Sequence, residues 1–220
     1  MQGLFSLQGE QGKFLSIKVS KEGYYEYKPE GEGFFYAGRN ENFVPDENNP
    51  VVFRLHKKRQ AEPLIAREFP GFAQIEQLRR DGTPVEIDLL QAKKVASGGN
   101  LKMELWGDPI ERTTNKYKWK LRISVAGGGI IVNSEEFNFK APESGYAPQI
   151  LIDMPTTSEH WTSNMKQKYF VKYADGNYGR IDFDFLARNG VYRILSFINT
   201  SGSRNLEYDE AVQPKPSVQE

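Results

Sequence analysis

The chain contains no cysteine among its 220 residues. This absence excludes a thiol nucleophile, a disulfide framework, and zinc or iron–sulfur sites built on thiolates. Histidine is almost as scarce, because His56 and His160 are the only two. A Ser-His-Asp site would have to use one of them, and no nucleophile-elbow sequence accompanies either. We therefore predict no catalytic residues of this kind, no metal site and no cofactor.

The chain also lacks a charge of one sign and a long apolar run. Its 29 basic and 29 acidic residues give a formal net charge of zero. Neither end is polarised, which argues against a nucleic-acid-binding arm or a basic membrane-surface patch. No apolar run approaches the roughly 20 residues that a transmembrane helix needs. The sequence therefore predicts no nucleic-acid partner and no membrane span, and it leaves the oligomeric state open.

Residues 116–125 alternate strictly between apolar and polar side chains. The odd positions are apolar and the even ones are polar: Tyr117, Trp119, Leu121, Ile123 and Val125 against Lys116, Lys118, Lys120, Arg122 and Ser124. A period of two places the two sets on opposite faces of a β-strand. This pattern predicts a long strand with one face in a core and the other in water.

Further strand patterns surround this segment. Acidic residues alternate with Val85, Ile87 and Leu89. In the same way, charged residues alternate with Leu101 and Met103. A final meander covers residues 166–173, 178–186 and 191–198, and its joints, 175–177 and 188–190, are the hairpin signals Asp-Gly-Asn and Arg-Asn-Gly. We predict an all-β fold in which residues 64–208 form an antiparallel β-sandwich or jelly-roll-like domain.

Two segments depart from this strand pattern. Phe72, Ile75 and Leu78 recur at helical spacing, which predicts at most one short helix within residues 70–80. Residues 209–220 are polar and contain proline, so we expect a disordered tail.

The N-terminal segment resembles a known family. The motifs are Phe-Ser-Leu at residues 5–7, Gly-Lys-Phe-Leu-Ser-Ile-Lys-Val at 12–19 and Lys-Glu-Gly-Tyr at 21–24. Together they resemble the carboxypeptidase regulatory-like family, and residues 51–55 resemble its closing strand. The resemblance implies that residues 1–58 form part of a transthyretin-like β-sandwich. It also implies a non-catalytic module of the kind common in secreted and surface proteins of bacteria.

This resemblance is incomplete at the start of the chain. The family's opening strands have no counterpart, and a sandwich without them would expose unpaired strand edges. We therefore hypothesise an upstream segment that supplies those strands and an export signal, which would place the protein in the cell envelope or outside the cell.

Residues 28–50 are a long insertion before the closing strand. One interpretation is a recognition loop, in which Tyr36 stacks on a ligand while Arg39, Asn40 and Asn42 donate hydrogen bonds to a glycan. The other is a lid whose aromatic side chains pack on the module and whose asparagines satisfy turn backbone. The polar segment 56–63 follows, and we place the domain boundary there.

The loop at residues 158–163 is the second candidate recognition site. Trp161 could serve as a stacking platform for a ligand, or it could be partly buried beneath the loop. Asp182 and Asp184 share one strand face and resemble the carboxylate pair of a glycosidase. We instead expect them to balance Lys118, Lys120 and Arg122 across neighbouring strands.

These observations lead to one functional hypothesis and two alternatives. The hypothesis is a non-catalytic binding or scaffolding module of a bacterial secreted or envelope protein, with a glycan or a protein as ligand. The first alternative is a carbohydrate-acting hydrolase, which would depend on Asp153, His160 or Asp182. The second is a cytosolic interaction domain.

Overall fold

The computed structural model describes residues 14–25, 33–35, 48, 50, 52–71, 74–107 and 115–213. The chain divides into two compact units, Met1–Arg59 and Gln60–Glu220. The division lies within the polar segment 56–63. Among the described residues, no helix combines the length and apolar character needed to cross a bilayer.

In the part of the first unit that the structure describes, two short antiparallel strands pair, β1 (Phe14–Ser16) and β2 (Gly33–Phe35). Alternation continues from Leu15 to Ser20, with partly buried apolar residues between exposed polar ones. The closing strand predicted at residues 51–55 is wrong where the chain is described, because residues 52–55 form no strand. The pairing lies further along the chain, where Lys57 bridges Tyr24 and Lys58 N donates to Gly23 O at 2.8 Å.

Within its described residues, the second unit has ten strands, with these bounds: β3 (Ile65–Phe69), β4 (Val85–Asp88), β5 (Lys93–Val95), β6 (Leu101–Gly107), β7 (Trp119–Val125), β8 (Gly129–Asn133), β9 (Gln149–Met154), β10 (Asn164–Lys172), β11 (Tyr178–Leu186) and β12 (Val191–Asn199). They form two antiparallel five-stranded sheets. The first sheet has the order β3-β12-β11-β10-β8, and the second has the order β5-β4-β6-β7-β9. The predicted all-β sandwich is confirmed.

The core lies between the inward faces of these two sheets. Trp119, Leu121 and Ile123 of β7 have no exposed surface, and Phe183 and Phe185 of β11 are 1% exposed. The rings of Trp119 and Phe185 join the sheets, with centroids 5.7 Å apart. The alternation in residues 116–125 therefore predicted the buried face correctly, although the regular strand begins only at Trp119.

The outer face of the first sheet carries a second, smaller apolar cluster. Phe170 and Phe197 project from the strands and pack with Leu206 from the segment after β12. The guanidinium of Arg180 lies 3.7 Å from the ring centroid of Phe197, and its Nε donates to Leu206 O at 3.0 Å. Part of this outer face is therefore covered by the chain itself.

The helix predicted within residues 70–80 is wrong for the described part of that range, which contains none. A helix would place Ile75 and Leu78 on one face, yet Ile75 is 73% exposed and Leu78 only 3% exposed. The segment runs instead along the end of a hairpin. Gln77 bridges Val191, and Leu78 N donates to Gly190 O at 2.9 Å.

The predicted disordered tail is also wrong at its start. Glu210–Val212 form one turn of 3-10 helix, and the carboxylate of Asp209 accepts a hydrogen bond from Ala211 N. The side chain of Gln213 accepts a hydrogen bond from Leu64 N at 2.8 Å, which ties this turn to the start of the sandwich. Residues 214–220 lie outside the described residues.

Candidate binding groove on the second sheet

The outer face of the second sheet contains a shallow groove of about 590 Å³, a volume within the range typical of ligand sites. Strands β6, β7 and β9 supply most of its walls, and the turn before β4 and the residue that precedes β7 supply one residue each. The residues that line it are Arg80, Trp106, Gly107, Lys118, Trp119, Lys120, Arg122 and Leu151.

Strand register arranges the outward side chains of the groove in rows. Lys120 of β7 lies opposite Trp106 of β6 and Asp153 of β9. Directly opposite residues on an antiparallel sheet have neighbouring side chains on the same face. The three side chains therefore form one row across the sheet. The adjacent row joins Arg122 to Leu151, which is 52% exposed.

Trp106 is held in place from two sides. The guanidinium of Arg122 lies over its ring at 4.9 Å from the centroid, which is cation–π geometry. Gly82 lies against the edge of the indole so closely that a Cβ would collide with the ring nitrogen. Gly82 is itself anchored, because its backbone N donates to Leu105 O at 2.8 Å.

Two of the lining cations form ion pairs with carboxylates beside the groove. Arg122 Nε donates to Glu104 Oε2 at 2.6 Å, and Lys120 Nζ lies 2.9 Å from Asp153 Oδ2. The hydrogen bond from Arg122 lowers the pKa of the Glu104 carboxyl, with the nearby positive charges adding to the effect. Glu104 is only 7% exposed, so a charged partner is needed to stabilise it there.

The other two lining cations occupy the end of the groove near Gly107. Arg80 donates to the carbonyl oxygens of Ala187 at 2.6 Å and of Lys118 at 3.4 Å. Its guanidinium also lies 5.0 Å from the ring centroid of Tyr117. The side chain of Lys118 is exposed and forms no ion pair with any described residue.

The predicted partners of the basic row were wrong. Asp182 and Asp184 lie on β11 in the first sheet, whereas Lys120 and Arg122 lie on β7 of the second sheet and Lys118 directly precedes that strand. Asp182 is opposite Lys168 and contacts Arg180 at 3.5 Å, and Asp184 is opposite Lys166 and Arg193. Alternation predicted correctly that these side chains face away from the core, but not which strands are their neighbours.

Trp161 lies outside the groove. Its indole nitrogen donates to Tyr117 O at 2.9 Å, and the two rings meet edge to face with centroids 5.3 Å apart. Trp161 is partly buried against the core, which favours the interpretation of a packed tryptophan over that of a stacking platform. The other candidate recognition residues, Tyr36, Arg39, Asn40 and Asn42, lie outside the described residues.

The residues on which a hydrolase would depend are not brought together. Asp153 is on β9 of the second sheet, and Asp182 is on β11 of the first. His160 is exposed in the loop between β9 and β10. Within the described ranges, no three acidic or histidine side chains are grouped so that they could hold a metal ion.

Sequence reasoning missed Trp106, although a signal for it exists. The outer face of β6 carries Lys102, Glu104 and Trp106. A tryptophan at a position where the alternation predicts a charged side chain indicates an aromatic residue on the surface of the sheet. The contributions of Arg80 and Gly82 could not be found in this way. They come from a turn outside the strand pattern and reach the groove only through the fold.

Comparison of the chain with protein-family models, with curated proteins and with solved structures gives no significant match.

Proposed function

We propose that this chain is a non-catalytic binding module and that its groove on the second sheet binds an oligosaccharide. The observation that carries the proposal is the placement of Trp106 among ion-paired cations on a regular sheet. Neighbouring strands hold these groups in fixed register, so little order has to be gained on binding.

The chemistry of the groove suits a sugar ring. The faces of a sugar ring are apolar enough to pack on an aromatic side chain, while its hydroxyls both donate and accept hydrogen bonds. Lys120 and Arg122 supply donors, and Asp153 and Glu104 beside them supply acceptors. A hydroxyl placed at either pair can therefore satisfy both of its roles.

The composition of the groove favours a glycan over a protein ligand. Protein interfaces are depleted in Lys, Glu and Asp at their centres and enriched in aromatic and other apolar residues. Here the side chains that are not buried in the core are four cations, one exposed aliphatic residue, Leu151, and the partly buried Trp106. A glycan ligand is also consistent with a module of a bacterial secreted or envelope protein. The resemblance of residues 4–55 to the carboxypeptidase regulatory-like family supports that assignment, which we retain as part of the proposal.

The test is oligosaccharide binding by the full chain and by three variants. On an oligosaccharide array followed by calorimetry, we expect Trp106→Ala to weaken binding about tenfold or more, because loss of an aromatic anchor costs upwards of about 1.4 kcal/mol. Tyr36→Ala and Trp161→Phe represent the two rival sites and should leave the affinity unchanged. Unfolding midpoints of all variants separate lost binding from lost structure.

Two results would contradict this proposal. Binding that is lost in Tyr36→Ala or Trp161→Phe, but kept in Trp106→Ala, would move the ligand site away from the groove. If no oligosaccharide on the array binds and a protein binds specifically, the ligand class is protein and not glycan.

A further inference from the structure

We infer that the ion pair between Lys120 and Asp153 recognises the ligand by binding a vicinal diol, two hydroxyls on adjacent carbons of a sugar ring that packs against Trp106. The inference rests on the proposed function and adds the chemical group that the groove selects. Its basis is the position and the exposure of this ion pair relative to the indole.

The three side chains occupy one row across three paired strands. Lys120 of β7 lies opposite Trp106 of β6 on one side and opposite Asp153 of β9 on the other. Adjacent strands of a sheet lie about 4.8 Å apart, which is close to the width of one sugar ring. A ring packed against the indole therefore brings the hydroxyls on its edge to the ion pair.

The ion pair can bind both hydroxyls and remain intact. Lys120 Nζ lies 2.9 Å from Asp153 Oδ2, and the two side chains are 35% and 46% exposed. An ammonium group has three N–H donors and a carboxylate accepts through both of its oxygens, so a single contact between them leaves further donors and acceptors. The oxygens of two gauche vicinal hydroxyls are separated by nearly the same distance as Nζ and Oδ2. One hydroxyl can therefore accept from Lys120 while its neighbour donates to Asp153.

The other ion pair of the groove is placed differently. Arg122 lies over the indole of Trp106 and donates to the buried carboxylate of Glu104. Lys102 Nζ lies 3.6 Å from the same carboxylate. A buried carboxylate between two cations offers little surface to a ligand. Arg122 and Glu104 therefore support the indole, whereas the exposed pair contacts the hydroxyls.

An ion pair that only joins neighbouring strands is the alternative interpretation. Such a pair lies on the first sheet, where Arg193 Nε is 2.7 Å from Glu68 Oε1 and the side chains are 57% and 34% exposed. The residue opposite Arg193 on β11 is Asp184. The row of Lys120 and Asp153 instead continues to a tryptophan in a groove. Glu68 therefore provides a matched control for Asp153.

The experiment compares neutral oligosaccharides with derivatives whose diol is blocked, by calorimetry on the full chain. Cellotetraose and 1,4-linked mannotetraose are each titrated beside one derivative methylated at O2 and O3 and another methylated at O6 alone. We expect at least one parent sugar to bind about tenfold more tightly than its O2, O3 derivative, the size of one hydrogen bond to a charged group. The O6 derivative carries its methyl group outside the diol and should bind like the parent sugar.

Asp153→Ala tests the residue itself. A methyl ether cannot donate a hydrogen bond, so this variant should lose about tenfold in affinity for the parent sugar and keep its affinity for the O2, O3 derivative. Glu68→Ala removes an exposed carboxylate from an ion pair on the other sheet, and its binding should equal that of the unaltered chain. Exposed ion pairs contribute little stability, so both variants should keep the unfolding midpoint of the unaltered chain.

The outcomes separate this inference from the proposed function. Equal affinity for a parent sugar and its O2, O3 derivative, lost in Trp106→Ala, would overturn the diol contact and leave the saccharide site standing. Equal losses of both affinities in Asp153→Ala would also overturn it, because the carboxylate would then act on the groove and not on a hydroxyl. Absence of binding to both tetrasaccharides would overturn the inference, and absence of binding to every saccharide on the array would overturn the proposed function as well.

Discussion

Gly82 has a φ of +82°, a conformation that L side chains rarely adopt, and it lies against the edge of Trp106. A Cβ at this position would strain the backbone and push the indole away from its place. The residue that orients the proposed aromatic anchor is thus a glycine from a turn, 24 positions earlier in the chain.

We predict that Gly82→Ala destabilises the fold by about 1–2 kcal/mol and weakens saccharide binding. The matched control is Gly176→Ala, where φ is +85° and an added Cβ would have no heavy atom within 4 Å. In this control, the free energy of unfolding should fall only because an alanine is placed at a positive φ. Urea unfolding and calorimetry measure both effects, and equal behaviour of the two variants would refute the contact with Trp106 as the cause.

The contribution of Glu104 to the stability of the fold should depend on pH. The hydrogen bond from Arg122 lowers the folded-state pKa of the Glu104 carboxyl below its ordinary value of 4.5. A carboxyl with a lowered folded-state pKa contributes stability above its unfolded-state pKa and loses it as the pH falls through the folded-state value.

The difference in melting temperature between the unaltered chain and Glu104→Gln should therefore have its largest value at neutral pH and should shrink below about pH 4.5. Glu143→Gln is the control, since Glu143 pairs with Arg204 at 2.7 Å but its side chain is 77% exposed. Exposed pairs contribute little, so its melting temperature should stay close to that of the unaltered chain. A difference for Glu104→Gln that does not change with pH would contradict an ionic role.

The hairpin between β11 and β12 holds residues 74–80, the segment for which a helix was predicted, through backbone contacts. Gly190 has a φ of +68°, and a Cβ there would collide with Leu78 O. Leu78 N also donates to Gly190 O, so hairpin and segment meet through their backbones. This close contact buries Leu78 and leaves Ile75 in water.

We predict that Gly190→Ala costs about 2–3 kcal/mol, because both the strained backbone and the contact with Leu78 are affected. The control is again Gly176→Ala, in the hairpin between β10 and β11. It places an alanine at a positive φ where the added Cβ would contact no neighbouring atom. Denaturant midpoints of the two variants give the comparison. A similar cost for both would show that the contact with Leu78 adds nothing.

The core between the two sheets contains buried tyrosines, and their ionisation at high pH should destabilise the fold. Burial raises the pKa of Tyr169 from 10.0 to about 12, and burial also raises the pKa of Tyr173 and Tyr192. All three contribute to the core between the two sheets. For each of them, the fold favours the neutral phenol.

A phenol whose folded-state pKa is raised stabilises the fold fully below its unfolded-state pKa and loses that contribution as the pH rises through the folded-state value. We therefore expect stability to fall between pH 10 and about pH 12, with the last part of the rise in tyrosinate absorbance coinciding with the loss of β-sheet circular dichroism. Tyr169→Phe removes one of the ionising groups, so its transition should shift to higher pH. Tyrosinate absorbance that reaches its full value for all 11 tyrosines before the circular dichroism changes would contradict the coupling.

The class of the fold and the facing of its strands follow from local patterns in the amino-acid sequence. Alternation at residues 117–125 predicted the buried and the wetted face of β7, and the turns at 175–177 and 188–190 predicted the hairpins that the structure has. These signals are local. A period of two and a tight turn are each specified by residues within about ten positions of one another.

Which strands are neighbours, and which residues they bring together, became known from the folded chain. Alternation says that Lys120 and Asp182 both face water, but not that they belong to different sheets, because strand order depends on contacts distant in sequence. For the same reason the groove could not be predicted. Arg80 and Gly82 come from a turn, Trp106 and Lys120 from two strands, and Leu151 from a third, and only the pairing of β6, β7 and β9 brings them together.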